Sequence, residues 1–197
     1  MTKKSFLWVG EVGQGQDWVR YWDMRLYQNL LPTEGIRKYH PADIQAITDE
    51  VEKEEVIVYL AVAHGGPKEA VVRTVGGEML ILTVADHIGP AMDRRTQPMK
   101  FVFISHSEGM KETGAGTWSH AFRKGQPQGC AVVGVSGGMS TSNWLDFQLI
   151  WSPAFFTYVH WGFKFKLAFR MANFVCPTLR SKMVFDGDEN MSTADLT

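Results

Sequence analysis

Two short segments bring together side chains that can do chemistry: Ala63-His64-Gly65-Gly66-Pro67 and Ser105-His106-Ser107-Glu108-Gly109. An imidazole at His64 can take up and return a proton near neutral pH. The glycines beside it allow backbone N–H groups to approach a substrate oxygen. Ser107, set among small residues, offers a hydroxyl as nucleophile. An isolated histidine is more simply read as a capping or hydrogen-bonded structural group, and the adjacent glycines shift the balance toward chemistry. Ser107 alone says little, because serines are common where strands end. The weight lies in both segments following buried, strand-like runs.

Those runs define the scaffold. Residues 56–63 (VIVYLAVA) are apolar almost throughout, as a parallel strand covered on both faces must be. Residues 100–105 (KFVFIS) and 130–135 (CAVVGV) read the same way, and residues 5–9 (SFLWV) form a shorter strand ended by Gly10, Gly13 and Gly15. Residues 70–75 and 78–84 flank Gly76-Gly77 and predict a hairpin. Helices are expected from Asp17, with Trp18, Trp22, Leu26 and Leu30 on one face, and over 41–54, with Pro41 in the first turn and Ile44, Ile47 and Val51 as the stripe. Further helices are expected over 85–93 and over 118–124, the latter closed by Gly125. Phe156, Val159, Phe163, Leu167, Met171 and Phe174 step by three and four, predicting one long helix that Pro177 ends. Residues 182–185 suggest a last strand. Strands alternating with helices imply an α/β fold: a three-layer α/β/α sandwich, mainly parallel, formed by residues 1–197 as a single domain. Residues 56–63, 100–105 and 130–135 should be adjacent in its sheet, with the reactive groups at the strands' carboxyl ends.

Composition narrows the function. The chain has 197 residues, 45% hydrophobic and 21% charged, with a net charge of −1, which argues against a protein built chiefly for nucleic acid or acidic membranes. Cys130 and Cys176 belong to no spaced pair or cluster, so neither a disulfide framework nor a structural zinc site is expected, and a reducing compartment fits. The apolar run at residues 5–9 is too short for a signal peptide, and no window has the length of a membrane span, so the reading is cytoplasmic. Asp86-His87 with His64 or His106 offers metal-binding side chains, but no HExxH or close equivalent accompanies them. No cofactor is expected.

Two families share these features. The α/β-hydrolases use an HGG segment as oxyanion hole and a small-x-Ser-x-small elbow, which SHSEG matches tolerably. Their elbow runs straight into a helix, whereas Gly109, Gly114 and Gly116 follow Ser107. Their catalytic histidine also lies downstream, where only His120 and His160 remain, both in helical sequence. Along nearly its whole length the chain more closely resembles the caspase–gingipain–legumain group of cysteine peptidases, including the CHAT-type domains. VYLAVAHGG, the Gly76-Gly77 hairpin, FVFISHS, GTWSHAFRKG with CAVVGVSGGMS, the long C-terminal helix and MVFDGDENM stand in that group's order and spacing.

The resemblance implies a fold, an activity and roles. His64 would be general base and acid, position 107 would carry the nucleophile, and the N–H groups of Gly65 and Ser107 would form the oxyanion hole. Substrate contacts would come from Ser136, Gly137, Gly138, Met139 and Trp144, and from Glu11 and Asp17. Trp144 is equally a core residue, and Glu11 and Asp17 are more simply solvated loop acids, although either could receive a basic side chain. The partner would be a protein or peptide substrate, with a regulatory protein or activating ligand as a further one. Ser107 stands where the group has cysteine. An inactivating Cys-to-Ser replacement, a natural pseudoenzyme kept for binding, and a working serine variant each account for it. The first is favoured and the third ranks lowest, because a hydroxyl is far harder to ionise than a thiol.

Overall fold

The computed structural model of the chain describes residues 2–10, 30–35 and 39–197. Among these residues eight strands form two sheets. In the first, β1 (Lys4–Val9), β2 (Val56–Val62), β6 (Phe101–Ser105), β7 (Ala131–Val135) and β8 (Met183–Gly187) lie side by side in that order. The first four run parallel, and β8 returns antiparallel along β7. The three apolar runs expected to be neighbours are β2, β6 and β7, and they are. All are buried from end to end, which is why their sequences do not alternate. The second sheet is small and antiparallel: β3 (His64–Gly65), β4 (Glu69–Arg73) and β5 (Met79–Thr83). Its β4–β5 hairpin turns at the expected glycine pair, with Gly77 at φ 86°.

Side chains on the two faces of the large sheet enter separate cores, because successive residues of a strand point to opposite sides. Val58, Leu60, Val62, Phe101, Phe103 and Val133 meet the aromatic set Phe147, Trp151, Phe155 and Phe156. Tyr59, Ala61, Val102, Ile104 and Val132 meet Ile47, Val51, Met92, Trp118 and Phe122. Helices therefore cover both faces. On the second face lie α1 (Ile44–Glu52), α2 (Gly89–Asp93) and α3 (Trp118–Phe122). On the first lie α4 (Thr141–Asp146), α5 (Ser152–His160) and α6 (Phe165–Val175), with a π-helical stretch Phe147–Trp151 linking α4 to α5.

Several expected boundaries move. Helix α1 starts after Pro41, because the Asp43 carboxylate accepts the Ala46 N–H at 2.9 Å and makes Asp43 the N-cap. The segment expected as a helix over 85–93 opens with a π-helical turn, Val84–Ile88, before α2. Helix α3 stops at Phe122, and Gly125 at φ 68° donates its N–H to the His120 carbonyl. The larger correction is at the C-terminus, where the single long helix is two. Gly162 takes φ 84°, a left-handed conformation that ends α5, and α6 starts afresh at Phe165. Its buried stripe is Phe165, Ala168, Phe169 and Ala172, while Leu167 and Phe174 face outward. The helix expected from Asp17 falls outside the described residues except for Leu30, which packs on the first core.

No helix among the described residues is long and apolar enough to cross a membrane.

Candidate functional site

Strands β2 and β6 are parallel neighbours with Val62 opposite Ser105. His64 and Ser107 each follow by two residues, so both stand at the carboxyl edge of the sheet, at matching steps past paired positions. His64 is exposed and Ser107 half-buried.

The loop carrying His64 is held by the small sheet. His64 pairs with Val71 and Gly65 with Ala70 in antiparallel register, and the Gly66 N–H donates to the Glu69 carbonyl at 2.9 Å. Hydrogen-bonded and non-bonded pairs alternate along such a ladder. Gly65 therefore occupies the non-bonded pair, and its N–H is turned away from β4. That leaves Gly65, not Gly66, with a donor to offer a substrate oxygen. Gly65 also has no room for a side chain: a Cβ there would lie 2.5 Å from the Glu69 oxygen, 2.9 Å from Ala70 Cα and 3.0 Å from His106 Nδ1. A Gly65→Ala variant should accordingly lose about 1–3 kcal/mol in urea unfolding, while Gly66→Ala, which meets nothing within 4 Å, should change little. Equal losses from the two would contradict this geometry.

The segment carrying Ser107 is a tight turn rather than a strand-to-helix elbow. The Gly109 N–H donates to the His106 carbonyl at 3.1 Å. Glu108 has φ 59°, in the left-handed region, where Ser107 does not lie. No helix begins until Trp118. Ser107 therefore lacks both marks of the hydrolase elbow, a strained nucleophile and an immediate helix. The turn is anchored toward β7, with Met110 N–H on the Val135 carbonyl at 2.7 Å and Glu108 N–H on the Gly137 carbonyl at 3.4 Å. It is also tied to the His64 loop. The Trp118 indole donates to the Gly66 carbonyl at 3.1 Å, and Lys68 pairs with Glu112 at 3.7 Å.

Between the two loops lies His106, which the sequence offers only as a metal ligand. Its ring is fully buried, edge-on to Trp118 with centroids 5.5 Å apart. It is pinched by two glycines, since a Cβ on Gly109 would come within 2.6 Å of its Cε1. Among the described residues neither ring nitrogen has a hydrogen-bond partner, and the neighbouring Ser105 Oγ is likewise buried without one. Burial pushes the His106 pKa down to about 4, with the Ser107 backbone, close but not in bonding geometry, opposing the shift and His64 adding to it. His106 is thus a neutral wedge between the catalytic candidates. Parity could have revealed it: Val102 and Ile104 point into the second core, so the next even position belongs there too.

The expected substrate-binding residues divide into three groups. Glu11 and Asp17 lie outside the described residues. Ser136, Gly137 and Gly138 directly follow β7 and join the Ser107 turn through the Gly137 carbonyl. Met139 and Trp144 are half-buried and pack on the first core, Trp144 edge-on to Phe147 at 5.5 Å. Lys182, which no sequence pattern singled out, lies over this segment. Its carbonyl accepts the Ser136 N–H at 2.7 Å and hydroxyl at 3.1 Å, and its ammonium donates to the Gly138 carbonyl at 3.0 Å.

The Asp86 carboxylate and the His87 ring both engage Thr83 at the start of the π-helical turn. Among the described residues, no three His, Cys, Asp or Glu side chains are grouped to hold an ion. A cavity of about 410 Å³ between the π-helical turn, α2 and α3 is lined by Asp93, His120 and Lys124 among others, and includes neither His64 nor Ser107.

No protein-family model matches the chain, and a search of curated proteins finds no relative.

Proposed function

We propose that the chain is a caspase-like cysteine-type endopeptidase domain in which Ser107 occupies the nucleophile position, a form inactive or weakly active as it stands. The observation that carries this reading is the placement of His64 and Ser107 two residues past the paired Val62 and Ser105 on adjacent parallel strands. Helices on both faces of a mainly parallel sheet are what a caspase-like three-layer α/β/α sandwich requires.

In this reading the thiol of a cysteine at position 107 passes its proton through solvent to His64, and the thiolate adds to the carbonyl carbon of a peptide bond. The developing oxyanion is met by the N–H groups of Gly65 and residue 107. His64 gives a proton to the departing amine, then takes one from the water that releases the acyl group. The peptide lies along residues 136–139. No cofactor takes part. Two free, buried cysteines suit the reducing, cytoplasmic setting we assign to the protein.

Ser107 itself favours a second reading, a peptidase-like scaffold kept for binding, since a degenerate enzyme would show such a replacement. A serine esterase of α/β-hydrolase type is the weaker alternative, given the turn described above. The experiment that separates them is peptide hydrolysis by wild type and by a Ser107→Cys variant across basic, acidic and apolar substrates. The endopeptidase reading expects turnover from the variant only.

A further inference from the structure

Lys182 is half-buried and follows the 3₁₀ turn Pro177–Leu179, immediately before β8. Its side chain lies along the glycines that follow β7. A Cβ on Gly137 would stand 3.1 Å from Lys182 Cδ, so the absence of a side chain there is what lets the lysine stem lie flat. On the other side, a Cβ on Gly138 would meet nothing within 4 Å, so the backbone beside the ammonium borders open space. Among the described residues Lys182 pairs with no carboxylate; its acceptor is the neutral Gly138 carbonyl at 3.0 Å. Other cations near the site are matched, Lys111 by Glu108 and Lys68 by Glu112. The same glycine segment is joined to the candidate nucleophile, because the Gly137 carbonyl accepts the N–H of the residue after Ser107.

We infer that Lys182 is a specificity-determining residue that binds a carboxylate of the peptide lying along residues 136–139. This rests on the endopeptidase reading for the identity of the ligand as a peptide, and it reverses the charge preference that Glu11 and Asp17 suggested. The carboxylate comes either from an acidic side chain or from a free C-terminus, and both present the same two oxygens to an ammonium.

The test uses binding, not catalysis. Fluorescein-labelled pentapeptides, with Asp or Asn at the central position and an amidated or free C-terminus, are titrated by anisotropy into the protein as it stands. One carboxylate-bearing peptide should bind about tenfold more tightly than the Asn amide, the scale of a single charge-assisted hydrogen bond near the surface. Whether the Asp amide or the Asn free acid gains identifies the source. Lys182→Met should abolish that advantage, so that the carboxylate-bearing peptide and the Asn amide bind alike, and Lys182→Glu should reverse it. Equal affinities in wild type, an advantage that survives Lys182→Met, or no binding of any peptide would each overturn the inference. Turnover by Ser107→Cys judges the endopeptidase reading separately: turnover with no carboxylate preference retains that reading without Lys182. Lysine-dependent binding without turnover does the opposite.

Discussion

In a Ser107→Cys background, replacing His64 by alanine should reduce peptide hydrolysis by about 10²–10⁴, the usual contribution of a positioned general acid–base. The starting activity itself should appear only on making Ser107→Cys. A thiol of pKa roughly 8.5 is a few per cent thiolate at neutral pH and needs no base in contact, whereas a serine hydroxyl does. His64 is exposed at the sheet edge, so its loss should leave the cores intact and the urea midpoint close to the parent's. The effect should fall on kcat, because proton donation to the leaving amine is made in the transition state and not in the bound ground state. Steady-state kinetics on both variants, with urea unfolding as a control for folding, measure this. Equal kcat in the two would remove His64 from the chemistry.

The second large effect concerns pH and is carried by His106. In the unfolded chain this imidazole titrates near 6.5, and in the fold burial holds it down to about 4. Between those values the unfolded state binds a proton that the folded state refuses, so stability falls with falling pH. The contribution is complete above pH 6.5, declines through the interval, and is exhausted once pH passes below 4. The separation corresponds to about 3 kcal/mol. Half-buried Glu50 and exposed Glu54, where burial raises the carboxyl pKa but hydrogen bonds and ion pairs hold it low on balance, lose their stabilising charge only from the ordinary carboxylate range downward, and do so equally in wild type and variant, so they cancel in the comparison. Urea unfolding at pH 7 and pH 4 for wild type and His106→Asn should show the wild type losing about 3 kcal/mol more than the variant. Parallel pH dependence in the two would mean that His106 is not held neutral by the fold.

How far sequence reaches into this structure depends on which force positions each element. Strands β2, β6 and β7 were legible because burial on both faces leaves a continuous apolar run, a local signature of a global fact. The glycine-pair hairpin was legible because turn chemistry is local. The C-terminal stretch reads as one helix because apolar steps of three and four residues continue across Gly162, where a φ of 84° breaks the chain into two helices. In α6 much of the buried face is Ala168, Ala172 and Asn173, while Phe174 is 74% exposed. Phe165 and Phe169 share that face with these smaller residues, and a stripe drawn through Leu167 and Phe174 follows the wrong side because the break at Gly162 resets the helix phase.

The site shows the same division. His64 and Ser107 could be picked out because each is adjacent in sequence to the strand that carries it. Lys182 could not, since its relation to Gly137 and Gly138 exists only once β8 has folded back antiparallel along β7. Gly66 illustrates the reverse error. Its N–H looked available in sequence and is taken by Glu69 in the turn.

The central claim, that position 107 is the nucleophile of a peptidase site, is tested most directly by covalent labelling. A Ser107→Cys variant, folded, is incubated with a thiol-directed peptide inhibitor and mapped by mass spectrometry. The competing thiols are poorly placed to react: Cys130 and Cys176 are both buried, and burial raises the pKa of Cys130 far above its ordinary value. The account predicts a single adduct at residue 107, formed faster with the peptide inhibitor than with a small thiol reagent lacking the peptide, and slowed by competing substrate. A folded Ser107→Cys protein that stays unlabelled at residue 107, while the denatured chain labels at all three cysteines, would contradict it.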